Sequence, residues 1–200
     1  DIKNYWELSR WSWAPLLARA WIYSGEVKYF LCLTKWVENW CLENPVNQGF
    51  NWSCAQEVSI RLIHAMQSWQ IMDSSDSRTV PLITKRRTEF TQSHLKRIAA
   101  TQIYAQAQSN NHWISEAAAL FIGGSWLGQR YYAELGRKAL EQSVKCLIMK
   151  DGSFAQHSIN YHRLVLETLI QVEIWRRWLS LPNFSTKYTQ RFNDLFNWLL

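Results

Sequence analysis

The chain has 200 residues, 48% of them hydrophobic and 19% charged, which excludes a disordered polymer and suffices for a domain with a substantial core. Only 7 glycines and 4 prolines are present, and this scarcity favours long helices over turn-rich β structure. The net charge of +6 predicts an anionic partner, for which a nucleic acid, a membrane surface or an acidic polysaccharide would each qualify.

Hydrophobic residues recur at helical spacing along the chain and predict about eight helices. Gly25, Pro45 and the pair Gly123-Gly124 are the expected stops, because glycine often follows a helix end and the residue before proline avoids helical geometry. We expect the helices close to residues 3–24, 26–43, 52–72, 79–107, 113–123, 129–149, 158–179 and 184–200.

Short loops between these helices predict antiparallel neighbours, and hence helical hairpins. The hairpins could close into an incomplete (α/α) toroid or stack as a solenoid, and periodicity does not separate the two. Both ends of the chain fall inside predicted helices, so we expect residues 1–200 to be a single all-helical domain taken from a longer protein. No apolar run reaches the roughly 18 residues of a membrane-spanning helix, and no strand pair or signal peptide is recognisable.

Two polar groups lie in the first third of the chain. Trp6 and Arg10 share the first predicted helix, and Asn51-Trp52 precedes Glu57 and Arg61. Glu57 and Arg61 are four residues apart, which allows an ion pair on one helix face. Each group either binds a ligand or forms an ordinary structural pair on a capped helix.

A third group combines Asn110, Asn111 and His112 with Glu116 one turn later. Consecutive amide and imidazole donors suit the binding of a carboxylate. The competing interpretation is a helix N-cap, for which Ser and Asn are preferred. A cap requires one of the two asparagines and leaves the other, with His112, unexplained.

A fourth group follows the Asp151-Gly152 turn and contains Gln156, Tyr161, His162 and Arg163. A tyrosine near an arginine can have its phenolate stabilised, which suits general acid–base catalysis. The alternative is a polar loop with a half-buried tyrosine.

The 13 tryptophans exceed what a core needs, and they either fill the core or stack on sugar rings in a cleft. The basic run at 85–87 indicates a solvated helix face or an anion-binding patch, and no nucleic-acid-binding signature accompanies it. The four cysteines form no CxxC and no Cys/His ligand spacing, so we expect neither a metal nor another cofactor.

Taken together and in this order, the groups resemble the heparinase II/III-like polysaccharide lyases. The resemblance covers nearly the whole chain. It rests on four motifs, which are the helix containing Trp6 to Arg10, the stretch from Trp40 through Asn44-Pro45 and Asn51-Trp52 to Arg61, the segment Asn110 to Glu116, and the segment Asp151 to Arg163. The chain departs from the family at Gln156, where a glutamate is common, and this exchange puts an orienting role of the side chain in question.

The resemblance implies an incomplete (α/α) toroid followed by a β-sandwich domain outside this chain, and β-elimination at a uronic acid. Asn111 and His112 match positions that neutralise the substrate carboxylate, and Tyr161 matches the catalytic tyrosine. The remaining matched positions are expected to bind substrate: Asn110, Arg163, His162, Gln156, Glu116, Asn51, Trp52, Glu57, Arg61, Trp6 and Arg10. A further catalytic histidine is expected from the β domain, so the isolated 200 residues should be poorly active.

By the same resemblance we expect an acidic polysaccharide as partner, no nucleic acid, no membrane insertion, and a periplasmic or secreted location. Two other functions stay open. One is an inverting glycoside hydrolase, which needs two carboxylates and would have to use Asp151 and Glu116. The other is a non-catalytic module that binds acidic glycan.

Overall fold

The computed structural model describes residues 2–73 and 80–200. Regular structure in these ranges is helical, and the β structure found there is one isolated bridge between Ile148 and Phe154. The all-α fold class is therefore confirmed, while closure of the hairpins into a toroid stays a prediction. Contacts divide the chain into two compact units, Asp1–Arg97 (unit 1) and Ile98–Leu200 (unit 2), and each is described by itself below.

Unit 1 is built around α2 and α4, which pack against each other, and α2 also packs against α3. A 3-10 turn lies in the loop before α4 and contacts both α4 and α1. Its elements are α1 (Ile2–Ser9), α2 (Trp13–Ser24), α3 (Val27–Glu43), the 3-10 turn (Phe50–Trp52), α4 (Ala55–Asp73) and α5 (Val80–Ala99) as far as Arg97.

The helix expected over residues 3–24 is in fact two helices. Trp11 adopts a left-handed backbone conformation with φ of 61°, which no helix accommodates. Its side chain is fully buried and stacks on Phe90, with ring centroids 5.1 Å apart. Burial of this large ring holds the strained backbone in place and separates α1 from α2.

Unit 2 is organised around α7, which packs against α6, α8 and α9. From Asn111 to Gly124 its residues are buried except for His112, which is half-buried. The α10 helix completes the unit by packing on α8 and α9. The elements are α6 (Gln102–Gln108), α7 (Asn111–Trp126), α8 (Arg130–Leu147), α9 (Ile159–Trp178) and α10 (Thr186–Asn197).

Two predicted boundaries in this half of the chain are wrong. The helix expected over 79–107 is interrupted after Ala99, where the Thr101 amide bonds to the Ile98 carbonyl in a turn before α6. The pair Gly123-Gly124 does not end α7, which continues to Trp126. A Cβ on Gly124 would lie 2.5 Å from the backbone nitrogen of Ala133, so this glycine permits close packing against α8.

None of the helices in the described ranges is long and apolar enough to cross a bilayer.

Candidate functional site

The amino-terminal end of α7 is closed by side chains. Asn110 is the N-cap, and its side-chain oxygen accepts a hydrogen bond from the His112 backbone N–H at 2.9 Å. The cap interpretation therefore holds for Asn110. This cap is made by the side chain of Asn110 and does not involve the side chains of Asn111 and His112. His112 is half-buried and Asn111 is 2% exposed.

Gln156 reaches the same helix end from another segment. Its Oε1 accepts a hydrogen bond from the Asn111 backbone N–H at 2.8 Å. This N–H belongs to the first turn of α7, where amides have no acceptor within the helix. An amide oxygen accepts this bond as a carboxylate would, so the exchange of Glu for Gln does not remove the acceptor.

The segment carrying Gln156 is itself well ordered by hydrogen bonds. The Asp151 carboxylate accepts bonds from the backbone N–H and the hydroxyl of Ser153, and these bonds lower the pKa of Asp151. The Ala155 N–H donates to the Leu147 carbonyl at 2.9 Å. Phe154, 2% exposed, anchors the loop in the core. Gln156 is thus presented from a fixed backbone.

The start of α9 follows shortly after Gln156. The three predicted site residues there differ in their exposure to solvent. Tyr161 is 43% exposed and Arg163 is also exposed, so both are accessible to a ligand. His162 is 2% exposed, and its Nε2 lies 2.8 Å from the Leu195 carbonyl of α10. The His162 ring also stacks on Trp198 at 4.6 Å. His162 therefore lies in the packing between α9 and α10.

Glu116 lies one turn inside α7 and is 2% exposed. Its carboxylate accepts a hydrogen bond from the Gln102 side chain at 3.3 Å. This burial favours an internal role over direct contact with a polymer.

In unit 1, the predicted residues converge on a buried arginine. The guanidinium of Arg61 lies over the rings of Trp40 and Trp52, at 4.3 and 5.1 Å from their centroids. Its Nε donates to Nε2 of His94 at 3.1 Å, and its terminal nitrogens donate to the carbonyls of Ser9 and Asn51. Arg61 has no accessible surface, and this burial favours a structural role over contact with substrate.

Burial dominates the electrostatics of this cluster. It lowers the pKa of Arg61 to about 9, which leaves the group charged at neutral pH. Burial, together with the Arg61 charge, holds the pKa of His94 well below its usual range. Nδ1 of His94 faces the Phe90 carbonyl at 2.8 Å and must carry the proton, since Nε2 accepts from Arg61.

Glu57 does not pair with Arg61, contrary to the expectation from their spacing. It accepts two hydrogen bonds from Arg10, at 2.6 and 2.9 Å, and this interaction raises the pKa of Arg10. Glu7 takes a third guanidinium nitrogen of Arg10 at 2.6 Å. Arg10, which follows α1 directly, outcompetes the local partner because its planar guanidinium fork matches the two oxygens of the Glu57 carboxylate.

The remaining predicted residues of unit 1 fasten the loop before α4. Trp6 donates its indole N–H to the Phe50 carbonyl at 3.0 Å, and Trp52 donates to the Asn44 carbonyl at 3.2 Å. Asn51 is 8% exposed and donates to the Asn44 side chain. These contacts favour the structural interpretation of this group.

Sequence reasoning missed His94, the acceptor for Arg61. It is fully buried on α5, and its partner Arg61 is 33 residues away in sequence, so no local pattern identified it. It also missed Arg97, which donates to the Trp52 and Ser53 carbonyls.

The tryptophans divide between packing and surface. Trp11, Trp52, Trp113 and Trp175 are among the buried core residues. An apolar recess of about 760 Å³ in unit 1 is lined by residues that include Trp40, Trp52 and Trp69.

In the basic run at 85–87, Lys85 and Arg86 are exposed, while Arg87 is buried and pairs with Asp73. No cluster of potential metal ligands occurs among the described residues.

Comparison with known proteins gives two matches. The sequence profile of the family described as Heparinase II/III N-terminus matches residues 1–200. A protein described as heparin-sulfate lyase, from Bacteroides stercoris, is 22% identical over 222 residues, which cover 97% of this chain and 32% of that protein. The chain therefore spans about a third of the length of this relative. No solved structure matches the chain at a significant level. Since the profile extends over every residue, the chain belongs to the heparinase II/III N-terminal family.

Proposed function

We propose that the full-length protein is a polysaccharide lyase that cleaves an acidic, uronic-acid-containing polysaccharide by β-elimination. The observation that carries the proposal is the hydrogen bond from the Asn111 amide to Gln156. It joins the segment with Asn111 and His112 to the segment that leads into Tyr161. Membership of the family and the printed name of the Bacteroides relative support the same chemistry.

The first requirement of the reaction is to acidify the C5 proton of the uronate. That proton is very weakly acidic while the adjacent carboxylate carries a full charge, and donors aimed at the carboxylate stabilise the enolate-like intermediate. We assign this role to His112 and Asn111 at the start of α7. His112 is the more accessible of the two, so it makes the main contact. The amino-terminal end of a helix also favours a negative charge.

The second requirement is proton transfer. A base removes the C5 proton, the C4–O4 bond breaks as the C4–C5 double bond forms, and an acid protonates the departing O4. Tyr161 is the acid in this scheme, or serves both steps, because it is exposed at the start of α9, the helix that packs on α7. Arg163, exposed two residues later, binds substrate charge.

The hydrolase alternative finds less support. Inversion needs two accessible carboxylates about 6.5–9.5 Å apart. Glu116 is 2% exposed, and the Asp151 carboxylate is engaged by Ser153 in a turn. We therefore keep Tyr161, and not a carboxylate pair, as the proposed catalytic group. A periplasmic or secreted location is part of the proposal, since polymers of this kind lie outside the cytoplasm.

The test is ultraviolet absorbance of the unsaturated product when the full-length protein is incubated with heparan sulfate, alginate and hyaluronan. Tyr161→Phe should abolish the absorbance increase on the polymer that is cleaved. Tyr131→Phe is the matched control, because Tyr131 is an exposed tyrosine of unit 2 outside the proposed site, and it should leave the rate unchanged.

Two outcomes would contradict the proposal. Full activity of Tyr161→Phe would remove the tyrosine from the mechanism. Retention of every polymer on the protein, without any unsaturated product, would instead identify a binding module. Asp151→Asn and Glu116→Gln serve as the hydrolase arm, and loss of reducing-end release in both, with Tyr161→Phe unaffected, would establish hydrolysis.

A further inference from the structure

Gln156 connects the two segments of the proposed site through a side-chain hydrogen bond to the first turn of α7. The Asn111 N–H is one of the amides that a helix leaves without an internal acceptor. Its neighbour, the His112 N–H, is taken by Asn110 from the same segment. The Asn111 N–H is taken across the fold, at 2.8 Å, by a residue 45 positions away.

We propose that Gln156 is a positioning residue, which sets the start of α7, with Asn111 and His112, in register with Tyr161. This inference rests on the proposed function for its catalytic consequence, but the contact itself is independent of it. Gln156 acts through the backbone of α7 and is not assigned a contact with substrate.

The surroundings explain how one hydrogen bond can define a register. On one side, α7 is packed against three helices and buried along its length, so its first turn moves only if the helix moves. On the other side, the Ala155 amide is bonded to the Leu147 carbonyl, and the His157 amide to the Phe154 carbonyl. Gln156 therefore lies between two backbone hydrogen bonds that fix its Cα.

Position 156 requires a side chain that is long enough to bring a hydrogen-bond acceptor to the Asn111 N–H, and the acceptor need not be charged. A glutamate would accept the same N–H and would add a negative charge at the positive end of α7, which is electrostatically favourable for the helix. Methionine has a similar length but only a weak sulfur acceptor. The two substitutions thus separate the hydrogen bond from the volume of the side chain.

The experiment is amide hydrogen exchange at Asn111, followed by mass spectrometry of the segment, in the full-length protein. Loss of a capping acceptor costs about 0.5–2 kcal/mol, so Gln156→Met should accelerate exchange at the Asn111 amide by roughly 2- to 30-fold. Gln156→Glu should retain the protection. Gln190→Met, at an exposed position of α10 in the same unit, is the control and should leave exchange at Asn111 unchanged.

On the polymer that the protein cleaves, Gln156→Met should lower kcat and leave KM within about twofold, because a shifted register affects the transition state more than ground-state binding. Gln156→Glu should keep kcat at the wild-type value. A purely structural role would lower the melting temperature without this separation of kcat from KM.

Unchanged Asn111 exchange in Gln156→Met would overturn the inference whatever the activity. Faster exchange with an unaltered kcat would limit Gln156 to helix capping and would also overturn it. Neither result contradicts the proposed lyase function. That proposal is contradicted separately if Tyr161→Phe keeps full activity. Should Gln156→Met prove insoluble, Gln156→Asn, which keeps the amide but shortens its reach, provides the same comparison.

Discussion

The guanidinium of Arg61 lies 4.3 Å from the centroid of Trp40 and has no accessible surface. Among the described residues no carboxylate pairs with it, and its partners are two indole rings, one imidazole and two backbone carbonyls. A buried charge with neutral partners is stable only while all of them are in place. Arg61 is therefore expected to be essential to unit 1.

Replacement of Arg61 by alanine should destabilise the protein by about 3 kcal/mol, because it leaves a cavity and removes the donor for His94 and two carbonyls. Arg19→Ala, at an exposed position of α2, should stay within about 0.5 kcal/mol of wild type. Urea unfolding of both variants measures the difference. Equal stability of the two would mean that the Arg61 contacts contribute little.

Acid should weaken the same cluster through His94. Its pKa is depressed in the folded protein, so the unfolded chain binds the additional proton first. The stability contribution is present above the unfolded histidine pKa of about 6.5 and is lost as the pH falls below it. The melting temperature should therefore fall between pH 7.5 and pH 5, and this fall should be smaller in His94→Gln. An identical pH profile in the variant would exclude His94 as the cause.

The interaction of Arg10 with Glu57 is expected to be worth more than a surface ion pair. Glu57 is 5% exposed in its side chain and bonded twice by the guanidinium. A double-mutant cycle with Arg10→Met and Glu57→Gln should give a coupling energy of about 1–3 kcal/mol. If both residues instead bound substrate, the single variants would raise KM at unchanged stability.

His162 should prove to be a packing residue although it was predicted to bind substrate. His162→Phe keeps the stacking on Trp198 and removes the hydrogen bond to Leu195, which should cost about 1–2 kcal/mol of stability. The kcat of the folded variant should equal that of wild type. A large loss of kcat at unchanged melting temperature would return His162 to the site.

The sequence predicted the helical class and the positions of most helices, because their hydrophobic faces repeat locally. It missed the break at Trp11, although Pro15 in the first turn of α2 has no N–H to bond the Trp11 carbonyl and so signals a helix start there. The packing of the Trp11 ring on Phe90, which accompanies the break, involves a residue too distant in sequence to be predicted. It misassigned Gly123-Gly124 as a stop because Gly124 serves close packing against α8, a helix that comes later in the chain.

The candidate site was predictable only in part. The N-cap role of Asn110 follows from local preference. The partner of Glu57 does not, because Arg10 lies 47 residues away and the local rule pointed to Arg61. Likewise, the glutamine at position 156, where the family commonly has glutamate, put an orienting role in question, whereas its amide oxygen accepts the hydrogen bond from the Asn111 N–H. Burial, which separates Tyr161 from His162, has no signal in the motif itself.

The enclosure of α7 by its neighbours has a thermodynamic consequence for any ligand that contacts its first turn. A flexible loop would have to be ordered when the ligand arrives, and the lost freedom would be subtracted from the affinity. The first turn of α7 is already held by Asn110 and Gln156, and the helix behind it is buried. Binding of a ligand to the first turn of α7 would therefore cost the protein little conformational entropy. The temperature dependence of the affinity would then report on the ligand and the displaced water.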